Sequence, residues 1–324
     1  MPDYSDLLDL SFNFSFIMVF FECFMIYLSI NILNRSGMLK LLAYFDELVE
    51  EKNTDMSVLQ RSSLTKNLKW ALIFSKCFIA FVTGMGVTVN LYDLQHTAWT
   101  SPMLFLIPGI SPGSIFFYPT NIIFQVFLYI ATVGMVVISA TAILIIIMYI
   151  QAELRAIGNL LRQLDDEEVI LVQGSKIIRI AHEEHKDAID NFQEATKFLW
   201  HSYFYKLFSN MMYICFTFFI FKDIDMTFIV AGWVVASCLF LVCLLCFFGQ
   251  MLGDDSEAMA SALYMSKWYL MSVKDQKNLL ILMIRFNRPF LVKTFGFGTI
   301  SVNTIVQICK AAVYYAAILY TLFD

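Results

Sequence analysis

Few side chains in this sequence could carry out covalent chemistry, and they do not form a catalytic pattern. His182 and His185 stand three residues apart with two glutamates between them, unlike the spacing of a helical zinc pair, and are predicted on a solvated helix. The seven cysteines lie mostly in apolar runs and form no CxxC motif, so neither a zinc site nor a redox site is predicted. The apolar segments contain no Ser-His-Asp set and no paired carboxylates. We therefore predict that the chain is not an enzyme and needs no cofactor and no metal.

The last apolar stretch, from Phe295 to Leu322, has polar residues on one face and predicts a helix that lines water. At about 100° per residue, a narrow stripe of this helix collects the side chains of Thr304, Gln307, Ala311, Tyr315, Ile318 and Leu322. Lipid alone does not favour such a stripe, because an unpaired polar group in hydrocarbon costs free energy. We predict a pore helix over 297–324, with an apolar constriction at Ile318 and Leu322 and with Thr321 between them. Ordinary packing between helices is the alternative.

The composition is typical of a helical membrane protein. The chain is 59% hydrophobic and 15% charged, with a mean hydropathy of +0.68. A net charge of -5 does not indicate a nucleic-acid partner. Segments long enough to cross a bilayer are 11–33, 70–92, 121–150, 203–222, 226–248 and 297–323. We therefore predict an all-α, polytopic membrane protein with six transmembrane helices.

The basic residues predict the orientation of these helices. The loops after the first, third and fifth spans hold 18 of the 22 lysines and arginines. The positive-inside rule places those loops in the cytosol, so that both termini face outward. A seven-span G-protein-coupled receptor has its termini on opposite sides of the membrane and is disfavoured.

The whole chain, 1–324, is predicted to form a single membrane domain. Residues 93–120 are rich in proline and glycine and predict an extracellular loop without helical pattern. The segments 151–202 and 249–296 are charged and helical in period, which predicts cytosolic helices. Within the second segment, the cytosolic helical part is expected to start at Gly253. Gly296 and Gly298 predict a break or hinge before the last helix.

The C-terminal part of the chain contains an ordered set of short motifs. They are Cys246-Phe247-Phe248-Gly249-Gln250, Ala262-Leu263-Tyr264, Ser266, Trp268-Tyr269, Leu279-Leu280-Ile281-Leu282-Met283-Ile284, Arg288-Pro289, Gly296-Phe297 and Tyr315. In this order they resemble the C-terminal signature of the insect odorant receptor family. The outer loop, with Leu106-Ile107-Pro108 and Ser111-Pro112, is also similar, so the resemblance extends over essentially the whole chain.

The resemblance implies an odorant-gated, non-selective cation channel in the plasma membrane, with four subunits around one pore and usually a shared co-receptor in the heterotetramer. It also implies that 151–202 and 249–296 form a cytosolic anchor, and that a small volatile odorant binds in the outer half of the bundle, chiefly within 1–150. Side chains there that suit an apolar ligand are Phe16, Ile17, Val89, Tyr92, Phe124, Phe127, Met135, Met212 and Tyr213. Core or lipid-facing positions are the alternative for each of them.

Two departures from the family pattern bear on the interpretation. The first span here is similar to the family's second, so we expect the family's first span and N-terminal tail to be absent. The run from Tyr314 to Leu322 differs from the closing motif of the related gustatory receptors, which favours an odorant receptor over a gustatory-type channel. A transporter or a non-conducting scaffold is the alternative from another class. A transporter needs acids or bases at mid-span, and the spans offer little of that kind apart from Lys310 and the peripheral Lys76, Lys206 and Glu22.

Overall fold

The computed structural model describes residues 17–18, 20–49, 55–96, 117–220 and 227–323, and this part of the chain is almost entirely helical. Its helices are α1 (Phe20–Leu33), α2 (Arg35–Val49), α3 (Asp55–His96), α4 (Phe117–Arg162), α5 (Glu167–Ile220), α6 (Thr227–Met265), α7 (Val273–Phe286) and α8 (Val302–Phe323). The end of α1 is π-helical over Ser29–Leu33, and short 3₁₀ turns over Gln163–Asp165 and Trp268–Leu270 follow α4 and α6. Two short strands, β1 (Lys293–Thr294) and β2 (Gly298–Thr299), pair antiparallel between α7 and α8.

The lengths and composition of the helices agree with a protein that crosses a membrane. Helices α3 to α6 have 42, 46, 54 and 39 residues. At 1.5 Å per residue, each is longer than the hydrocarbon core of a bilayer, which is about 30 Å thick. Within the described residues, three segments are long and apolar enough to span it: Val126–Asp165, Val235–Met265 and Val302–Leu319. The predicted spans at 70–92 and 203–222, inside α3 and α5, stay predictions, as does a span through the shorter apolar helix α1.

Several predicted boundaries are wrong. Helix α6 continues without a break past Gly253, where a separate cytosolic helix was expected to start. This glycine serves packing, because a Cβ on it would lie 3.1 Å from the Leu291 side chain. Helix α8 begins at Val302 rather than at 297, since a β-hairpin occupies the preceding residues. Helices α3 and α4 extend into both ends of the predicted 93–120 loop, and the remainder of that loop, 97–116, lies outside the described residues.

Helix α4 lies at the centre of the bundle and packs against α3, α5 and α6. The side chains that are at most 1% exposed include Ile143, Leu144, Ile147, Met148, Leu154, Ile157 and Leu161. These positions cover about half of the circumference of the helix, and such a broad apolar face is stable only where neighbouring helices cover it. The close contacts of its buried side chains give a large collective dispersion energy that holds the bundle together.

Helix α7 and the hairpin set the entry of the chain into α8. Ser272 caps α7, because its Oγ accepts a hydrogen bond of 3.2 Å from the backbone N–H of Asp275. The hairpin turn then needs two residues with positive φ, Gly296 at 77° and Gly298 at 71°. Glycine adopts this conformation at no steric cost, which explains its use at both positions. The Ile300 N–H donates to the Val292 carbonyl at 2.9 Å and closes the hairpin just before α8.

Candidate pore helix and ligand-binding site

The first turn of α8 is stabilised by Thr304. Its Oγ1 accepts a hydrogen bond from the Ser301 N–H at 3.1 Å and donates one to the Thr299 carbonyl at 3.2 Å. This is the return half of a capping box, in which the side chain at the third helical position satisfies the N–H of the N-cap residue. Thr304 is 1% exposed within one chain. The prediction that its hydroxyl lines a pore is therefore wrong, because capping turns it into the subunit.

The remainder of α8 has one buried and one exposed face. Ile308, Ala312 and Ala316 are buried, and α8 packs against α5 and α6. The small side chains of the two alanines allow the helices to approach closely. The predicted pore-facing residues Gln307, Tyr315, Ile318 and Thr321 are exposed, and Ala311 is half-buried at the edge of the packed face; the side chain of Leu322 lies outside the described part. A single chain thus leaves most of the predicted stripe uncovered.

The polar side chains on the exposed face of α8 differ in whether they have a partner. The Thr321 Oγ1 donates to the Ile318 carbonyl at 2.8 Å, so this hydroxyl is already satisfied within the helix. Lys310 is exposed and has no ion-pair partner among the described residues. The amide of Gln307, one turn before the half-buried Ala311, is a neutral polar group on this face, as are the exposed side chains of Asn303 and Tyr315.

The hairpin before α8 is fixed to both neighbouring helices. The Thr294 Oγ1 donates to the Trp200 carbonyl of α5 at 2.8 Å. On the other side, the Phe290 N–H donates to the Ser256 Oγ of α6 at 3.1 Å. Gly249 of α6 leaves room for the start of α8, because a Cβ there would lie 2.9 Å from Ile300. The position of α8 is thus set by contacts on the segment where Gly296 and Gly298 were predicted as a hinge.

The predicted ligand-binding residues have different environments. Phe16 lies outside the described residues, as do the side chains of Val89 and Tyr92 on α3. Ile17 and Phe127 are 64% and 66% exposed, which places them on the outside of the bundle rather than around an interior pocket. The half-buried members of the set are Phe124, Met135, Met212 and Tyr213, of which Met212 and Tyr213 pack against the core.

An aromatic cluster between α3 and α6 was missed from the sequence. The rings of Phe78 and Phe240 are stacked, with centroids 5.8 Å apart and planes 7° apart. Phe81 lies 5.1 Å from Trp233 and 6.1 Å from Phe240. The spacing of three residues in α3 and seven in α6 places these side chains on one face of each helix, and this periodicity was the available signal. The cluster provides flat apolar surfaces in the middle of the bundle.

A buried ion pair joins α1 to α5. The Lys206 Nζ lies 2.6 Å from the Glu22 Oε1, and the two side chains are 0% and 5% exposed. The prediction that both residues are peripheral is wrong, because Lys206 faces α1 inside the bundle. A buried charge is stable only with a partner of opposite sign, which explains why the two occur together.

His185, on α5, is buried against the end of α7 and the segment that follows it. Its ring lies 4.3 Å from Phe286 and 5.6 Å from Phe290, and the residue is 1% exposed. Burial, together with smaller contributions from the nearby His182 and Arg285, lowers the pKa of His185 from 6.5 to about 4. Arg285 donates to the ring of His182 at 3.1 Å. The predicted solvated helix is therefore wrong at His185, whose neutral ring is part of the contact between α5 and α7.

Comparison with known proteins identifies relatives of this fold. The model of the 7tm Odorant receptor family matches residues 6–313. The structure of the insect olfactory receptor OR5 from Machilis hrabei is similar with a TM-score of 0.71 and 14% identity, over 95% of this chain and 80% of that chain. The same receptor in complex with eugenol gives a TM-score of 0.75 and 13% identity, over 94% of this chain and 79% of that one. No curated protein matches. The predicted all-α membrane fold and the resemblance are confirmed.

Proposed function

Because this chain belongs to the 7tm Odorant receptor family, we propose that it is a subunit of an odorant-gated, non-selective cation channel. The observation that carries the proposal is the exposed face of α8, which combines the Gln307 amide with the aliphatic side chain of Ile318. An amide turned to lipid would be unpaired and costly. Several copies of α8 around a common axis give Gln307 a wetted environment and cover the apolar side chains at the same time.

In this arrangement Ile318 forms the closed constriction. It is 36% exposed in one chain, and a ring of four such side chains excludes water from a narrow passage. Ions pass only after the ring widens enough to hold water. Gln307, about three turns away along α8, then provides oxygen and N–H groups that replace part of the hydration of a passing cation.

The ligand of the proposed channel is a small, volatile, mostly apolar molecule. The relative solved in complex with eugenol shows that a protein of this fold binds a small aromatic compound. In this chain the rings of Phe81 and Trp233 supply apolar surfaces for such a ligand, and the predicted hydroxyls of Tyr92 or Tyr213 would orient it. A co-receptor completes the heterotetramer in the plasma membrane, with the basic loops in the cytosol.

The test is co-expression with an insect co-receptor and voltage-clamp recording of currents evoked by a panel of volatile compounds. Ile318→Ala is expected to raise the basal current or to change the relative permeability to Na⁺ and K⁺, because it removes the constricting side chain. Val313→Ala is the matched control, since Val313 is also exposed on α8 but lies about 140° from Ile318 around the helix.

Both outcomes of this experiment are informative. Altered currents for Ile318→Ala with unchanged currents for Val313→Ala support the proposed gate. Identical basal current, selectivity and evoked response for Ile318→Ala and the wild type contradict it. Absence of any evoked current over the whole panel, with the protein present at the cell surface, contradicts the proposed channel function.

A further inference from the structure

A cavity of about 720 Å³ lies between α3, α4 and α6, and its lining shares no residue with the aromatic cluster or with α8. It is located where the predicted spans 70–92, 121–150 and 226–248 meet their predicted cytosolic ends. Its walls therefore include side chains on both sides of the expected membrane boundary. The volume is in the range of pockets that hold a small organic molecule.

The polar wall of this cavity, which we call the inner cavity, has an excess of positive charge. Arg155 Nε pairs with the Asp255 Oδ2 at 2.9 Å, and its Nη1 donates to the Asn67 Oδ1 at 2.6 Å. The Gln151 amide also donates to the Asp255 Oδ2, at 2.6 Å. The charges of Arg155 and Asp255 compensate each other within a fixed network.

Two further cations line the inner cavity without a compensating acid. Lys66 and Arg162 are both exposed, and neither has an ion-pair partner among the described residues. Arg162 donates only to the neutral Asn159 side chain, at 3.3 Å. The polar wall thus has two uncompensated positive charges, held on different helices and facing one space.

Another part of the lining of the inner cavity is aromatic and reaches the exposed surface of the bundle, at the predicted membrane boundary. Trp70 and Phe247 line the cavity and are 51% and 49% exposed. Between them Phe74 and Phe248 meet edge to face, with ring centroids 5.6 Å apart. Exposed aromatic side chains at this level are typical of the boundary between headgroups and acyl chains.

We propose that the inner cavity binds an anionic phospholipid of the cytosolic leaflet, with its phosphate group between Lys66 and Arg162. The acyl chains leave past Trp70 and Phe247. An apolar odorant would leave the two cations unpaired, and a free phosphate would leave the aromatic wall without a contact. A zwitterionic lipid would compensate the net positive charge less well than an anionic one, because each basic residue near the headgroups contributes to the attraction.

The test measures lipid binding to the purified full-length chain in phosphatidylcholine nanodiscs. Short-chain phosphatidylinositol bisphosphate is titrated and the bound lipid is counted by native mass spectrometry. Lys66→Gln and Arg162→Gln are each expected to weaken binding about fivefold, and the double variant about 25-fold. Lys69→Gln and Arg179→Gln are matched controls, because they remove exposed positive charges of α3 and α5 that do not line the cavity.

The results distinguish a bound anionic lipid from non-specific surface charge and from a free phosphate ligand. Loss of binding in the cavity variants alone supports the proposal. Equal losses in the control variants show that binding depends only on surface charge, and they overturn it. Inositol trisphosphate that binds as tightly as the lipid identifies a free phosphate ligand and also overturns it. The readout requires neither odorant nor current, so it is independent of the proposed channel function.

Discussion

Replacement of Lys206 by methionine tests whether the ion pair between α5 and α1 is buried as the structure shows. The substitution leaves the Glu22 carboxylate, 5% exposed at the side chain, without its partner at 2.6 Å. Removal of one member of a buried pair typically costs about 3–5 kcal/mol, since the remaining charge is neither hydrated nor paired. We expect Lys206→Met to lower the unfolding free energy by about this amount.

The double variant Glu22→Gln with Lys206→Met removes both charges and is expected to recover most of that loss. Unfolding free energies from SDS titration in mixed micelles give the coupling between the two sites, which we expect to exceed about 2 kcal/mol. Lys197→Met is the control on the same helix. Lys197 pairs with Glu194 at 2.8 Å, but its side chain is 59% exposed, so its loss is expected to cost less than about 1 kcal/mol.

Small losses would refute this reasoning. If Lys206→Met and Lys197→Met were equally mild, the Glu22 carboxylate would be hydrated in the folded protein. If the double variant were as unstable as Lys206→Met alone, the cost would come from lost packing of the lysine side chain rather than from an unpaired charge.

Two further predictions concern the hairpin and the buried histidine. Gly298→Ala is expected to lower the unfolding free energy by about 1–2 kcal/mol in the same titration, because φ is +71° there, although nothing lies within 4 Å of the new Cβ. Gly84→Ala is the control, since a Cβ at this position on α3 also meets nothing within 4 Å. An equal effect of both substitutions would contradict the conformational argument. The pKa of His185 is about 4 in the folded protein and 6.5 in the unfolded chain. Between pH 6.5 and about 4 only the unfolded chain therefore binds this proton, and the free energy of unfolding falls as the pH drops through this range. The loss is about 2 kcal/mol at pH 5. His185→Leu should remove this part of the pH dependence and His182→Gln should retain it, whereas an unchanged profile in His185→Leu would show that other groups cause it.

The features that the sequence predicted well are those carried by local periodicity. The exposed positions of Gln307 and Ile318 on α8 follow from the stripe of one helix, and the membrane fold follows from the long apolar segments. Thr304 belongs to the same stripe but is buried. A helical projection gives its angle and cannot show that it lies in the first turn, where capping decides its orientation.

The features that the sequence did not predict depend on distant segments. Lys206 and Glu22 are 184 positions apart, and nothing in the sequence next to either residue indicates its partner. The ring of His185 is buried by Phe286 and Phe290, which come from a different element. Only the packing of α1 and of the segment after α7 against α5 identifies these contacts.

The unbroken length of α5 has a mechanical consequence. Its 54 residues extend over about 80 Å, more than twice the thickness of the hydrocarbon core. A rotation of about 5° around its midpoint would displace the two tips by roughly 3–4 Å in opposite directions. Because α1, α4, α6 and α8 all contact α5, such a tilt would move the side chains packed against both of its ends at once, without any segment having to unwind.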